Sequence, residues 1–294
     1  MSKPLIAIVG ATASGKSSLA LKLAESFNGE IVSADSWVVR SSVDIGSAKP
    51  TTAELGRIKH HLIDIIKPDQ DFSAALYKQL SLNAIETIHK KGKLPFLVGG
   101  TGLYIDAVLY DYSFLPSAGI NIRKELNNKT LNELHGIAKS RNLSLEAIDR
   151  QNKRRVIRLI ETNGSIATRR ELRDNCLIIG IKTTKEQLNE NIKIRVKEMI
   201  TKGLEKEVAS LYLKYGWDCE ALKGIGYQEW KLYFEGIQSM EQTEARIIKD
   251  TQMLAKRQDT WFKRNKSIHW IDNPSNFSKV EEIITSFLNK NIFL

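Results

Sequence analysis

The sequence predicts an α/β protein with a parallel-sheet core that is interrupted by a helical insertion. Short, almost continuous apolar runs alternate with helical patterns over residues 1–100, which is typical of parallel strands covered on both faces. A glycine-rich loop joins the first of these runs to a helix. After Pro116 no clear strand occurs until an apolar run at 176–181, and short patterns rich in Asn, Arg and Lys fill the interval.

The individual elements follow from apolar spacing and from end signals. Strands are predicted at 5–9, 30–35, 94–100, 176–181 and 266–272. A helix is expected over 17–27, and a second begins after the N-cap residue Ser73 and stops at Gly92. Residues 185–265 are predicted to be largely helical, and a closing helix follows the last strand. The core is therefore expected over 1–116 and 176–294, with the helical insertion at 117–175.

Composition narrows the class of protein. The 294 residues suffice for one large domain or two smaller ones. The chain has 44 Lys and Arg against 34 Asp and Glu, and this net charge of +10 favours a polyanionic partner, nucleic acid above all. Seven basic and two acidic residues lie between Lys153 and Arg173, so the excess is local. The two cysteines lie far apart in the sequence, which favours the reducing cytoplasm. No apolar segment is long enough for a signal peptide or a membrane span, so we predict a soluble protein without a membrane partner. We also expect a monomer.

The segment GATASGKS satisfies the phosphate-loop pattern G-x-x-x-x-G-K-[ST] between a predicted strand and a predicted helix, as in P-loop NTPases. Its glycines let backbone N–H groups turn toward an anion, and the helix start adds the positive end of its dipole. Lys16 supplies a charge for the outer phosphate, and the Ser17 hydroxyl can ligate Mg²⁺. The expected diphosphate site is the whole loop: Gly10, Ala11, Thr12, Ala13, Ser14, Gly15, Lys16 and Ser17.

The loop alone does not fix the reaction. Asp35 lies at the end of the second predicted strand, where an open α/β sheet places its ligand crevice. In small-molecule kinases of this fold, an aspartate there can be the base that activates an acceptor. The loop and Asp35 together predict a transferase with a phosphate-bearing donor, and the group that moves stays open.

Several segments occur in one order along nearly the whole chain, from about residue 5 to 272. They are GATASGKS, SADS, DIGSAKPT, HHLIDI, FSA, LVGGTGLY, NKRRVIR, GIGYQEW and AKRQDTWF. Together they resemble the tRNA dimethylallyltransferase family, also called tRNA isopentenyltransferase. DIGSAKPT, LVGGTGLY and AKRQDTWF are specific to that family, whereas the phosphate loop is not.

The resemblance implies a donor, an acceptor and roles for single residues. The donor is dimethylallyl diphosphate, which loses pyrophosphate, and the acceptor is N6 of adenosine 37, just 3′ of the tRNA anticodon. Asp35 would orient the amine and take its proton, and Thr101 would form a hydrogen bond near the reacting centre or with the diphosphate. Lys16 and Arg123 would stabilise the leaving group together with Mg²⁺.

The resemblance also implies contacts with tRNA, in two loops and on one basic helix. The residues are Asp35, Ser36, Trp37, Val38, Arg154, Arg155, Val156, Ile157, Arg158, Gly226 and Tyr227. The basic helix belongs to the predicted insertion, and its charge independently favours contact with a phosphate backbone.

The chain departs from the family pattern after Ser36. Residues Trp37-Val38-Val39-Arg40 stand where the family commonly has Met-Gln-Val-Tyr. The Val38 side chain cannot form hydrogen bonds, so contacts with the anticodon loop are expected to be rearranged. Trp37 is then a candidate stacking surface and Arg40 a candidate phosphate contact. Ala11 stands where the family usually has a proline in the loop. We expect this change to be tolerated, because no side chain is needed at that position.

Three other functions are compatible with parts of the sequence. An adenylate isopentenyltransferase would alkylate free AMP, ADP or ATP, but it needs no basic insertion. A small-molecule or nucleotide kinase would transfer the γ-phosphate of ATP and ignore a prenyl diphosphate. An RNA-binding module without catalysis would bind tRNA without turnover, although the intact Gly15-Lys16-Ser17 run and Asp35 argue against it.

Overall fold

The computed structural model describes residues 3–115, 119–272 and 277–290. The chain forms two compact units, the first made of Met1–Leu109 and Leu172–Leu294 and the second of Tyr110–Glu171. The predicted start of the insertion, after Pro116, lies outside the described residues. The predicted end, at residue 175, falls where the chain has already re-entered the first unit.

A six-stranded parallel sheet forms the centre of the first unit, in the order β3-β2-β4-β1-β5-β6. The strands are β1 (Leu5–Gly10), β2 (Gly29–Ser33), β3 (His60–His61), β4 (Leu94–Gly99), β5 (Cys176–Ile181) and β6 (Ile268–Ile271). The predicted α/β fold with a parallel sheet is therefore confirmed. The short β3 at the sheet edge pairs with β2 through Ile31–His60 and Val32–His61.

Helices account for most of the remaining described chain. They are α1 (Lys16–Ser26), α2 (Thr52–Arg57), α3 (Ala74–Lys90), α4 (Gly102–Leu109), α5 (Ile120–Asn128), α6 (Leu131–Ser140), α7 (Lys153–Glu161), α8 (Lys185–Thr201), α9 (Leu204–Tyr215), α10 (Lys231–Phe234), α11 (Met240–Lys263) and α12 (Phe277–Lys290). Ser73 caps α3 as predicted, because its side chain accepts a hydrogen bond from the N–H of Leu76 at 3.1 Å. Within the described ranges, no helix is long and apolar enough to cross a membrane.

The sheet is buried on both faces, which explains its continuous apolar runs. All residues of β1 are buried, and so are all residues of β2 and β4. One buried cluster joins strand residues to α1 and α12, and a second contains residues of α8, α9 and α11. The second unit has a small core of its own, which α5, α6 and α7 share.

The first unit closes around the point where the chain leaves it and returns. The N–H of Arg173, in the returning segment, donates to the carbonyl of Leu109 at the end of α4, at 2.9 Å. β5 then pairs with β1 in the middle of the sheet, from Leu5–Cys176 to Gly10–Ile181. The two ends of the 110–171 excursion are thus held side by side in the first unit.

Candidate active site

The phosphate loop, residues 10–17, connects β1 to α1. Ala13 and Gly15 have positive φ angles of 60° and 87°, so the loop backbone curls. Gly15, the N-cap of α1, gives the helix no side-chain hydrogen bond, and the first turn carries no acidic residue. The N–H groups of this turn are therefore available to an anion. The Ser14 hydroxyl is buried and has no hydrogen-bond partner among the described residues, as expected for an atom that a ligand completes.

Positive charge accumulates at this loop. The ammonium of Lys16 donates to the carbonyl of Ala11 at 3.1 Å. Burial and the neighbouring charge of Arg195 lower the pKa of Lys16 from 10.5 to about 8, while Asp35 opposes the shift, and the side chain keeps partial contact with solvent. Burial also lowers the pKa of Arg195, against the attraction of Asp35. Two cations whose charged forms are disfavoured by burial, one of them also by the charge of the other, predict binding of a multiply charged anion.

Side chains of α8 and α11 hold the loop from outside. Asn191 donates to the carbonyl of Ala13 at 3.0 Å, and Arg195 lies one helical turn further, with its guanidinium 3.5 Å from the Thr12 hydroxyl. On α11, the side-chain oxygen of Gln258 accepts from the N–H of Thr12 at 2.7 Å. A β carbon on Gly100 would come within 2.5 Å of the Gln258 nitrogen, so this glutamine touches the loops after both β1 and β4.

Asp35 and Thr101 lie beside the phosphate loop because β2, β4 and β1 are neighbours and their carboxyl ends share one sheet edge. One carboxylate oxygen of Asp35 accepts from the N–H of Trp37 at 2.8 Å. The Thr101 hydroxyl accepts from the N–H of Ser36 at 3.2 Å, and the N–H of Thr101 donates to the carbonyl of Ala34 at 3.1 Å. The structure therefore brings the loop, Asp35 and Thr101 together in one unit.

The segment after Asp35 is largely turned inward. Val38 is 5% exposed and Arg40 is 4% exposed. The Arg40 guanidinium donates to the carbonyls of Pro68 and Gln70, at 3.1 and 2.5 Å. The prediction that Arg40 contacts a phosphate is therefore wrong, because its side chain is committed to the protein interior.

The segment around Gly226 and Tyr227 is anchored by two glutamates. The Gly226 N–H donates to Glu229 at 2.8 Å. Tyr227 is fully buried, and its hydroxyl donates to Glu207 at 2.7 Å. The same Glu207 carboxylate accepts the N–H groups of Asp44, Ile45 and Gly46, at 3.0, 2.8 and 3.1 Å. Glu207 thus connects residues 44–47, which we call the DIGS motif, to the segment around Tyr227.

The remaining predicted residues belong to the second unit. On α7, Arg154 and Arg155 are exposed, whereas Val156 and Ile157 are buried in the core of that unit. Arg158 pairs with Glu161 at 3.2 Å and also donates to the carbonyl of Leu115. Arg123, on α5, lies 3.5 Å from the same Glu161 carboxylate. Its predicted contact with the leaving group stays a prediction.

Arg195, Asn191 and Glu207 are site residues that the sequence analysis did not find. Asn191 and Arg195 stand four residues apart and so share a helix face. That spacing was visible in the sequence, but nothing in it indicated that this face meets the phosphate loop. Glu207 lies in an ordinary charged helix, and its three backbone partners are more than 160 positions away.

Comparison with known proteins gives consistent matches over the chain. A model of the IPP transferase family matches residues 39–265. The tRNA dimethylallyltransferase of Bacillus subtilis is 39% identical over 285 residues, which cover 92% of this chain and 91% of that protein. The tRNA dimethylallyltransferase 2 of Geotalea daltonii is 38% identical, over 97% of this chain and 93% of that protein.

Solved structures show the same similarity. The full-length tRNA isopentenylpyrophosphate transferase of Bacillus halodurans superposes with a TM-score of 0.77 at 34% identity, and 98% of each chain is covered. A eukaryotic dimethylallyltransferase acting on tRNA gives a TM-score of 0.78 at 24% identity, over 92% of this chain and 74% of that one. At that identity the second match supports the fold alone.

Proposed function

Because the chain belongs to the IPP transferase family, we propose that it transfers the dimethylallyl group of dimethylallyl diphosphate to N6 of adenosine 37 in tRNA and releases pyrophosphate. The family membership confirms the resemblance seen in the sequence and favours this enzyme over the free-nucleotide prenyltransferase and the kinase. One observation carries the proposal of the site. The uncapped phosphate loop, Asp35 and Thr101 meet at three neighbouring strand ends.

The phosphate loop would bind the diphosphate of the donor. Its free N–H groups, Lys16 and Arg195 all offer positive charge to the same anion. When the bond between C1 of the dimethylallyl group and the diphosphate oxygen breaks, its electron pair stays on that oxygen. These fixed donors stabilise the charge as it develops. Thr101, whose hydroxyl oxygen is held by the Ser36 N–H, can donate its own proton to a diphosphate oxygen.

Asp35 would act on the acceptor. The N6 amine is a weak nucleophile, because its lone pair is delocalised into the purine ring. One oxygen of Asp35 is fixed by the Trp37 N–H, so the other can accept an N–H of the amine and orient it. As the nitrogen forms its bond to C1, that proton passes to Asp35. The C1–N6 bond forms as the C1–O bond breaks, the N–H proton moves to the Asp35 carboxylate, and pyrophosphate leaves with the electron pair of the C1–O bond.

Mg²⁺ is proposed to accompany the donor. Ser17, exposed in the first turn of α1, offers a hydroxyl oxygen, which is a ligand type that Mg²⁺ accepts. The described residues contain no group of three or more His, Cys, Asp or Glu that could hold a metal by themselves. Ser17 would be the residue of this chain that holds the ion beside the diphosphate. Such an ion neutralises charge on the leaving group.

The tRNA contacts are proposed for two kinds of surface. In the second unit, Arg154 and Arg155 are exposed cations on α7, suited to the phosphate backbone. In the first unit, Val38 and Tyr227 have buried side chains, so contacts from the two loops would come from Ser36 and from backbone groups. Adenosine 37 would have to leave its stack in the anticodon loop to reach Asp35.

A nucleoside assay tests the proposal. The protein is incubated with unmodified tRNA, dimethylallyl diphosphate and Mg²⁺, and digested tRNA is examined by mass spectrometry for a dimethylallyl adenosine. We expect that product on tRNA, absent with free AMP, and lost by roughly 100-fold or more in Asp35→Asn. The matched control is Asp272→Asn, whose side chain is 80% exposed after the end of β6 and pairs with the surface Lys182.

Each other outcome points to a different function. Product on AMP and not on tRNA would identify a free-nucleotide prenyltransferase. Transfer of γ-phosphate from labelled ATP, without use of the prenyl donor, would identify a kinase. tRNA binding without any turnover would leave a non-catalytic RNA-binding protein.

A further inference from the structure

The indole of Trp37 fits against Gly224 so closely that no side chain could replace the glycine without moving the ring. A β carbon on Gly224 would lie 1.5 Å from the indole Nε1 and 1.9 Å from Cε2. The backbone of Gly224 has φ −82° and ψ 155°, a conformation that any residue adopts. The glycine is therefore required by the indole and not by the backbone.

The indole also has a charged neighbour. The guanidinium carbon of Arg40 lies 5.6 Å from the indole centroid, and the carbonyls of Pro68 and Gln70 fix that guanidinium. The indole nitrogen is buried without a hydrogen-bond acceptor among the described residues. Because that buried donor is left unsatisfied, the ring is held there by packing and not by that nitrogen.

The backbone of the same residue holds the proposed base. The Trp37 N–H donates to one oxygen of Asp35 at 2.8 Å, and the N–H of the intervening Ser36 donates to Thr101. Because the indole fixes the position of residue 37, it also fixes the backbone amide of that residue, which orients the Asp35 carboxylate. On the other side, the Gly224 carbonyl accepts from the N–H groups of Tyr227 and Gln228, at 3.0 and 2.9 Å.

We propose that Trp37 is a positioning residue, and that its indole, locked against Gly224, sets the orientation of the Asp35 carboxylate relative to the acceptor amine. This inference rests on the proposed function, since it gives Asp35 the role of proton acceptor. It also changes the expectation for Trp37 from the sequence. The half-buried ring packs against Gly224 and positions the backbone, in place of serving as a platform on which an RNA base stacks.

The test uses size complementarity. Gly224→Ala should push the indole out of its slot and turn the 35–37 segment, which lowers kcat by roughly 10- to 100-fold while the KM for dimethylallyl diphosphate changes by about twofold at most. Trp37→Met, which installs the residue common in the family, should cost only a few-fold. In Trp37→Met/Gly224→Ala the added methyl group has room, and kcat should return to that of Trp37→Met.

The matched control is Gly56→Ala. A β carbon on Gly56 meets nothing within 4 Å, and the residue lies in α2, so this variant should retain wild-type kcat. Melting temperatures of all variants separate loss of folded protein from loss of rate per folded molecule. The wild-type reaction with tRNA runs beside them, so failure of the proposed function appears as no wild-type product.

Three results would overturn the proposal that Trp37 positions Asp35. Gly224→Ala could be as active as Gly56→Ala, in which case the contact does not matter for the reaction. The double variant could be no better than Gly224→Ala, with additive losses and a raised KM for tRNA, and Trp37 would then act on the RNA directly. Gly224→Ala could melt earlier with unchanged kcat per folded molecule, and the contact would then be structural only.

Discussion

Glu207 is expected to be the main tie between the DIGS motif and the Tyr227 segment. Its carboxylate accepts four hydrogen bonds, three from the N–H groups of Asp44, Ile45 and Gly46 and one from the hydroxyl of Tyr227. Glu207→Ala removes the acceptor of all four at once. The predicted result is a loosening of residues 41–50 that is larger than any other single truncation on α9 would cause.

The size of the effect follows from the four contacts. A hydrogen bond to a charged group contributes about 1.5–3 kcal/mol, so a plain sum gives about 6–12 kcal/mol. The Asp44 N–H is exposed and can turn to water, whereas the Tyr227 hydroxyl belongs to a fully buried residue. Counting the buried hydroxyl and one or two partly buried amides, each at the lower end of that range, we expect a loss of at least about 3–4 kcal/mol.

Hydrogen exchange of the 41–50 peptide measures this locally, because exchange there reports the free energy of opening that segment. A loss of 3–4 kcal/mol corresponds to exchange faster by about 100- to 1,000-fold. Glu205→Ala is the control, since Glu205 shares the first turn of α9 with Glu207 and meets one donor, the Tyr233 hydroxyl at 3.2 Å. Both variants lose the same favourable charge at the helix start, so the difference isolates the four contacts.

The reasoning would be refuted if residues 41–50 exchanged in Glu207→Ala at a rate within about threefold of that in Glu205→Ala. Such a difference corresponds to less than ~1 kcal/mol in the free energy of opening. The loop would then be held by other contacts, with Lys49 the first to consider. Its ammonium reaches the Arg40 carbonyl at 2.6 Å and the carboxylates of Asp44 and Asp64 at 2.6 and 2.5 Å.

Three further predictions concern the phosphate loop and the insertion. The pKa of Lys16 is about 8 in the folded protein against 10.5 ordinarily. The unfolded chain therefore binds more protons between these values, so stability rises with pH across that window, and Lys16→Met should abolish this rise in melting curves. Arg154→Ala and Arg155→Ala should each weaken tRNA binding and flatten its logarithmic salt dependence by about one, measured by filter binding at several salt concentrations. Gln258→Met leaves the Thr12 N–H without its acceptor and should raise the KM for dimethylallyl diphosphate by about tenfold, from ~1.4 kcal/mol of lost loop order, with a smaller change in kcat.

A different result would contradict each of these three predictions. Equal pH slopes in Lys16→Met and wild type would place the ammonium in water when the protein is folded. An unchanged salt slope in both arginine variants would remove α7 from the tRNA surface. A fall in kcat at constant KM in Gln258→Met would mean that the side chain acts on the reacting centre through Gly100 and not on the loop.

The sequence was informative wherever local spacing decides the structure. The apolar runs of β1, β2 and β4 became strands whose residues are all buried, and the phosphate loop followed from one motif between a strand and a helix. Asp35 could be placed because the end of a parallel strand is a fixed location in a sheet. These features depend on neighbours a few residues away.

Contacts across long separations could not be predicted in this way. Arg195 approaches Thr12 from 183 positions away, and Gln258 does so from 246. Arg40 was expected to contact a phosphate, yet its guanidinium donates to two backbone carbonyls inside the protein and lies over the Trp37 ring. No residue pattern near Arg40 encodes those partners, since Pro68 and Gln70 come from a different loop.

The hydrogen bond between Arg173 and Leu109 holds the two ends of the 110–171 segment next to each other. Its two attachment points adjoin within the first unit, so a guest of another length can be spliced in without shifting the register of β5 on β1. Doubling such an excursion adds only about 0.6 kcal/mol of closure entropy. Descendants of one scaffold can therefore lengthen or shorten this segment while the sheet that carries the phosphate loop keeps its register.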